Sequence, residues 1–207
     1  SGHVRIYQYN NNSWSQLGAD IDGEAAGDAS GYSVSLSSDG SRVAIGAYGN
    51  DGGGDNAGHV RIYDYNGSAW VQVGADIDGE ASGDFIGSGH SVSLSSDGSR
   101  VAIGGPYNDG NGTNSGHVRI YDYNGSAWVQ VGADIDGEAG GDISGWRDSV
   151  SLSSDGSRVA IGAIYNNGNG SDSGHVRIYD YNGSAWVQVG ADIDGEAADD
   201  KSGISVS

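Results

Sequence analysis

The chain has 207 residues, a formal net charge of −19, 39 Gly, one Pro, and neither Cys nor Met. Such acidity excludes the basic face with which proteins grip nucleic acid, and it opposes anionic membranes. No apolar run approaches the roughly 18 residues of a membrane-spanning helix, and without Cys no disulfide frame is available.

Two phrases alternate along the chain. The stretch Gly58-His-Val-Arg-Ile-Tyr-Asp-Tyr-Asn-Gly-Ser-Ala-Trp-Val-Gln-Val-Gly74 recurs nearly unchanged from Gly2, Gly116 and Gly174, at spacings of 56, 58 and 58. Between copies runs Ser33-Val-Ser-Leu-Ser-Ser-Asp-Gly-Ser-Arg-Val-Ala-Ile-Gly46, which returns at Ser91 and Ser149 and opens again at Ser205. A period in this range marks a repeat architecture. Residues 1–32 read as the second half of a unit with its connecting loop. Whole units follow at 33–90, 91–148 and 149–204, and 205–207 begin another.

Within the unit at 91–148, Ser91 to Ser95 alternates small polar with apolar residues, the period of a half-buried strand. Asp97-Gly98 marks a tight turn, and Arg100 to Gly104 is the returning strand. A Gly/Asn loop from Tyr107 to Gly116 leads into His117–Tyr123. That third strand carries Val118 and Ile120 on one face, Arg119 and Tyr121 on the other. Asn124-Gly125 is the pair favoured by a type I′ hairpin, and Ala127 to Gly132 returns as the fourth strand. An acidic loop, Asp134-Ile-Asp-Gly-Glu138, closes the unit. No helical period occurs anywhere.

Four antiparallel strands in about 57 residues is the size of a β-propeller blade; solenoid rungs are shorter, so that architecture ranks second. The sequence therefore predicts an all-β chain of about 3.5 blades, an incomplete ring where closed propellers use about four to eight. Exposed strand edges seek partners, so the remainder of a longer chain or other copies of this one are expected beside it. Closure of the C-terminal Ser205–Ser207 strand onto the N-terminal hairpin is the alternative.

The stretch Gly27-Asp-Ala-Ser-Gly-Tyr-Ser-Val-Ser-Leu36, continued by Val43-Ala-Ile-Gly-Ala47, resembles the FG-GAP repeat of integrin-α-type propellers. It is closer still to tandem versions in secreted proteins of marine bacteria and algae. The resemblance covers essentially the whole chain and implies an extracellular or cell-surface location. The family's calcium loop is replaced by the short turn Ser38-Asp39-Gly40-Ser41, so no calcium site carries over there.

Three groups of residues are candidates for a site. Asp20, Asp22, Glu24 and Asp28 form an acid-rich segment that returns as Asp76, Asp78, Glu80 and Asp84, and as Asp134, Asp136, Glu138 and Asp142. A fourth copy reads Asp192, Asp194, Glu196 and Asp199. Closely spaced carboxylates suit Ca2+, which takes six to eight oxygens, and a counter-ion would relieve their repulsion. Solvated turn residues on an acidic surface are the simpler reading. The Gly/Asn loops, with Asp51, Asp55, Asp109, Asn111, Asn167 and Asp172, offer oxygens to an ion or a sugar, although Asn and Gly are also what long turns need. Finally, the segments from each Glu to the next first strand vary in length and bring in Phe85, Ile86, His90, Trp146 and Arg147. Variable loops on a fixed frame are where binding surfaces are built, so Phe85, His90, Trp146 and Arg147 are the expected ligand contacts.

His3, His59, His117 and His175, each two residues before an Arg, read as a polar ladder on one face. Trp14, Trp70, Trp128 and Trp186 read as packing residues of the outer hairpin. No nucleophile elbow, phosphate loop or zinc spacing is present, so catalysis is not expected. The leading expectation is a structural or adhesive repeat protein. The alternative is a module that binds glycans or surface proteins through its variable loops.

Overall fold

A computed structural model describes Ser1–Ser207 and shows strands and turns, with no helix and hence none long and apolar enough to cross a membrane. The N-terminal half-unit holds β1 (His3–Val4), β2 (Tyr7–Asn10), β3 (Ser13–Gln16) and β4 (Ile21–Asp22). The first whole unit holds β5 (Ser33–Leu36), β6 (Arg42–Ala47), β7 (His59–Tyr65), β8 (Trp70–Gln72) and β9 (Ile77–Asp78). The second holds β10 (Val92–Leu94), β11 (Arg100–Gly105), β12 (His117–Tyr123), β13 (Trp128–Gln130) and β14 (Ile135–Asp136). The third holds β15 (Val150–Leu152), β16 (Arg158–Ala163), β17 (His175–Tyr181), β18 (Trp186–Gln188) and β19 (Ile193–Asp194).

Each whole unit is one five-stranded antiparallel sheet, with the order β10-β11-β12-β13 in the second. The repeat and its strand order follow the sequence pattern, with one correction. The acidic segment is not simply a loop. Its Ile135-Asp136 returns to the third strand, pairing Val118↔Ile135 and His117↔Asp136, while Trp128–Gln130 pairs the far end of the same strand. The fourth strand is therefore split in two.

The break falls at Gly132, held at φ +77 with Trp186 Cδ1 of the next unit 2.9 Å from where a Cβ would stand. Gly74 stands in the same relation to Trp128. Glycine is needed there both for its left-handed backbone and to admit the neighbouring indole.

The apolar core lies between sheets rather than inside one. Val60, Ile62 and Ile77 of the first unit pack with Ile86, Val92, Leu94, Val101, Ile103 and Tyr121 around the second. The same contact recurs between the second and third units through Val118, Ile120, Ile135, Val159 and Ile161. Each full burial of such a side chain contributes about 1.5–3 kcal/mol, so neighbouring sheets stabilise one another. Trp70, Trp128 and Trp186 each donate an indole N–H to the carbonyl of Leu17, Val73 and Val131 in the preceding unit, at 2.8–2.9 Å. The tryptophan is thus a packing residue, and it packs across units.

Polar residues join the same seams. The first strands of adjacent units lie side by side, and the serines of one accept the unpaired edge amides of the next. Val92 N–H donates to Ser33 Oγ, Leu94 N–H to Ser35 Oγ, and Leu152 N–H to Ser93 Oγ, all at 3.0–3.1 Å. This satisfies an edge that would otherwise carry bare donors. Arg42 forms a fork with Asp64 in its own sheet, donates to the Gly98 carbonyl of the next unit, and lies over the rings of Tyr123 and Trp128. Arg100 repeats the arrangement one unit on, whereas the Arg158 side chain keeps the fork with Asp180 and is 53% exposed.

Candidate functional site

The loops between units are placed by the frame before their side chains matter. After each acidic segment the chain turns, and a residue of left-handed φ follows: Ala29 (+55), Phe85 (+53), Ile143 (+52) and Lys201 (+54). The amide of Phe85 donates to Asn56 O at 3.2 Å, and those of Ile143 and Lys201 do the same to Asn114 and Asp172. The backbone position is therefore constant while its side chain is Ala, Phe, Ile or Lys. A bulky residue with φ above zero is an outlier, and conformations of this kind collect at binding sites.

The variable side chains converge. Phe85 and Trp146 line a cleft of about 450 Å³ together with Tyr32, Tyr48, Tyr107, Ser88 and Asn114. Tyr48 stands with its ring centroid 4.7 Å from Tyr32 and 6.1 Å from Phe85, and Phe85 is 5.5 Å from Tyr107. Trp146 is stacked on Tyr165 at 6.2 Å, and the Arg147 guanidinium covers its ring at 4.3 Å. An adjoining hollow of about 460 Å³ is lined by Tyr32, His90, Trp146, Arg147 and Asp148. All four expected ligand contacts thus lie on one continuous surface built from the entries to three successive units. Ile86 does not join them; it is fully buried in the core.

Sequence reasoning missed Tyr32, Tyr48 and Tyr107, and the signal was a large aromatic in loops otherwise made of Gly, Asn and Ser. Of nine cationic Lys and Arg side chains, only Arg147 and Lys201 fall outside the repeated phrases, and Lys201 lies over Tyr165.

The acidic segments resolve into separate roles. Asp28, Asp84 and Asp142 are buried and take backbone amides, from Ala25, Ala81 and Ala139 at 2.8–3.1 Å. Each also receives the side-chain amide of Asn50, Asn108 or Asn166. They brace the turn, and in the third unit the same Asn166 amide also reaches Glu138 Oε2 at 3.4 Å. In the fourth copy this role falls to Asp200, which accepts the Ala197 amide at 2.7 Å, and not to Asp199. Asp22, Asp78 and Asp136 accept Arg61, Arg119 and Arg177 of the following unit at their carbonyl oxygens. Burial, and then the nearby Asp76 or Asp134, raises the carboxyl pKa of Asp78 and Asp136.

The remaining acids meet histidine. Glu24, His59 and Asp76 form one group, Glu80, His117 and Asp134 a second, and Glu138, His175 and Asp192 a third, and each of these groups could hold a metal ion. Glu comes from the preceding unit, His and Asp from the same one. Asp76 and Asp134 oxygens stand 3.5 Å from the histidine Nδ1, and Asp192 3.7 Å. His and Arg do share a face, as their spacing requires. What the spacing could not show is that the face meets carboxylates of the neighbouring unit: Arg61, Arg119 and Arg177 approach Glu24, Glu80 and Glu138 at 3.3–3.8 Å. Burial lowers the pKa of His59 and His175. His117 and then Gln130 hold the Asp134 carboxyl below its ordinary value, against the cost of burial.

No protein-family model and no curated protein matches the chain. Among solved structures, hydrazine synthase from Kuenenia stuttgartiensis is similar at 14% identity and a TM-score of 0.42, over 80% of this chain and 37% of that one. The chain spans well under half the length of that structure. A likeness so distant says nothing of chemistry.

Proposed function

We propose that this chain is a non-catalytic extracellular recognition module, an FG-GAP-like segment of a β-propeller, whose aromatic cleft binds a saccharide chain. The observation that carries the reading is that Phe85 and Trp146, large residues outside the repeat, meet with Tyr32, Tyr48 and Tyr107 in one cleft. Aromatic faces offer flat apolar area at low entropy cost, and the side-chain amide of Asn114 supplies orientation. Arg147 and Lys201 beside the rings favour a saccharide bearing carboxylate or sulfate, because every other Lys and Arg is a repeated scaffold residue.

Binding of the intact chain to an immobilised panel of neutral, carboxylated and sulfated oligosaccharides tests this. Saturable binding to an acidic member, lost in Trp146→Ala and in Phe85→Ala without loss of fold, is expected. Absence of binding across the panel, or binding indifferent to both substitutions, contradicts it.

A scaffold or adhesive role is favoured by a different observation. Trp14 is 69% exposed, whereas its counterparts dock on a preceding unit, and Gly190 has nothing near it where Gly18, Gly74 and Gly132 meet a tryptophan. Both faces have the shape to receive a further unit, from a longer chain or a second copy. A concentration-dependent mass in sedimentation, abolished by Trp14→Ala, supports that role for the isolated chain. Calcium is the ion that the acid-rich segments suggest, and it is the competing occupant for the Glu–His–Asp groups.

A further inference from the structure

The three Glu–His–Asp groups carry an inference independent of the cleft. We infer that each is a site for a borderline divalent transition-metal ion of the Zn2+ class, clipping one unit to the next.

Acidic residues alone would not support this, and the histidines decide it. His59, His117 and His175 are 0–1% exposed, and neither ring nitrogen of any of them has a hydrogen-bond partner. On one side the ring is closed by the second strand: His59, His117 and His175 are paired with Ala47, Gly105 and Ala163. At Gly105 a Cβ would stand 2.7 Å from Nε2 of His117. On the other side Nδ1 faces the two carboxylates. With the proton on Nε2, a lone pair points at two anions. With the proton on Nδ1, the nearest oxygen is 3.5–3.7 Å away, beyond the roughly 2.7–2.9 Å of a charge-assisted bond. A cation between the three groups resolves either case.

The dimensions fit. Within each group the three ligand atoms lie within 4.8 Å of one another. Tetrahedral zinc with bonds of about 2.0–2.1 Å sets its ligands about 3.3 Å apart, so the gaps to close, 3.5–3.8 Å at the recorded contacts with Nδ1 and up to 4.8 Å within a group, fall to rotation of the half-exposed Glu side chains. The Glu side chains are 42–48% exposed, which leaves an entry path and room for water as a fourth ligand. Each arginine engages one oxygen of its Glu and leaves the other toward the histidine; at Glu138 that oxygen also accepts the Asn166 side-chain amide at 3.4 Å, a contact the ion would share or displace. Two carboxylates and one guanidinium sum to one negative charge, suited to a dication. One imidazole with two carboxylates matches zinc-class ions, whereas Ca2+ requires six to eight oxygens.

The half-unit provides an internal control. His3 is exposed, and Asp20 is taken by Arg5 at 3.0 Å. The expected stoichiometry is therefore three, not four.

Titration of the chelator-treated chain with Zn2+ by calorimetry, with Co2+ absorption as a geometric readout, tests the inference. Three equivalents per chain are expected, with tetrahedral Co2+ bands, a higher melting midpoint reversed by EDTA, and no competition from millimolar Ca2+. Glu80→Gln, at a half-exposed ligand, should leave two equivalents, the third weakened by more than the roughly 10–100-fold typical of an outer-sphere loss. Its metal-free melting midpoint should stay near that of the parent, and His117→Gln should likewise remove one site. No binding, binding of three equivalents unaltered in Glu80→Gln, or displacement by Ca2+ would overturn it.

Discussion

Asp39, Asp97 and Asp155 each fix a turn with one carboxylate. Oδ1 of Asp39 accepts the Ser41 amide at 2.9 Å, Ser37 Oγ at 2.7 Å and Ser41 Oγ at 2.8 Å. Those donors, the backbone amide foremost, bring the Asp39 and Asp155 carboxyls down from 3.8 to about 2. A carboxyl with a lowered folded-state pKa contributes stability that is complete above its unfolded value and lost as pH falls through the folded one. Stability from these turns should therefore persist above pH 3.8 and disappear towards pH 2. Carbon-13 titration of the aspartate carboxyls checks it; an Asp39 midpoint near 3.8 would contradict the assignment. Ala29 shows the opposite economy, a side chain held at φ +55 with no partner that explains it. Left-handed geometry costs a non-glycine residue about 1–2 kcal/mol, partly offset by its smaller entropy loss. Ala29→Gly should thus stabilise by about 0.5–1 kcal/mol in urea unfolding. At the equivalent Phe85 the same strain is retained with a large ring aimed into the cleft.

At the scale of the element, the unit was legible because its strands alternate and its turns carry Asp-Gly and Asn-Gly. Arg42↔Asp64 and Tyr65↔Trp70 pair as the hairpins require. The second half of the fourth strand was not legible, since Asp134-Ile-Asp136 is too short and polar to show a period, and its partner His117-Val118 lies far back in the chain. The aromatic hairpin tells a different story at each end of the protein. Trp128 is half-buried, bonded to Val73 O and packed on the second-unit core. Trp14 has the same tyrosine neighbour in its own hairpin, Tyr9 at 5.1 Å, but is 69% exposed. Trp128→Ala should cost about 3 kcal/mol, the low end for a large aromatic truncation, while Trp14→Ala should stay within about 0.5 kcal/mol. Equal losses in chemical denaturation would show that the contact between units is not what the indole serves.

For the molecule as a whole, the core, the serine ladder, the arginine clasps and the Glu–His–Asp groups all lie between units. Each sheet alone would expose both faces, so adjacent units must fold together. This level was only partly readable: repetition announced many equal parts, and Phe85, His90, Trp146 and Arg147 announced where they differ. Which residues meet across a seam depends on distances that no single unit contains, so Glu24 with His59 and Tyr32 with Trp146 stayed hidden. The five tryptophans report on both features at once. In a proton–nitrogen correlation spectrum, three indole N–H signals (Trp70, Trp128 and Trp186) should resist solvent exchange because each is bonded to a carbonyl of the preceding unit. Those of Trp14 and Trp146 should exchange freely, and an acidic oligosaccharide should move Trp146 alone. Five indoles exchanging alike, or a saccharide that shifts the seam tryptophans and leaves Trp146 in place, would contradict the account.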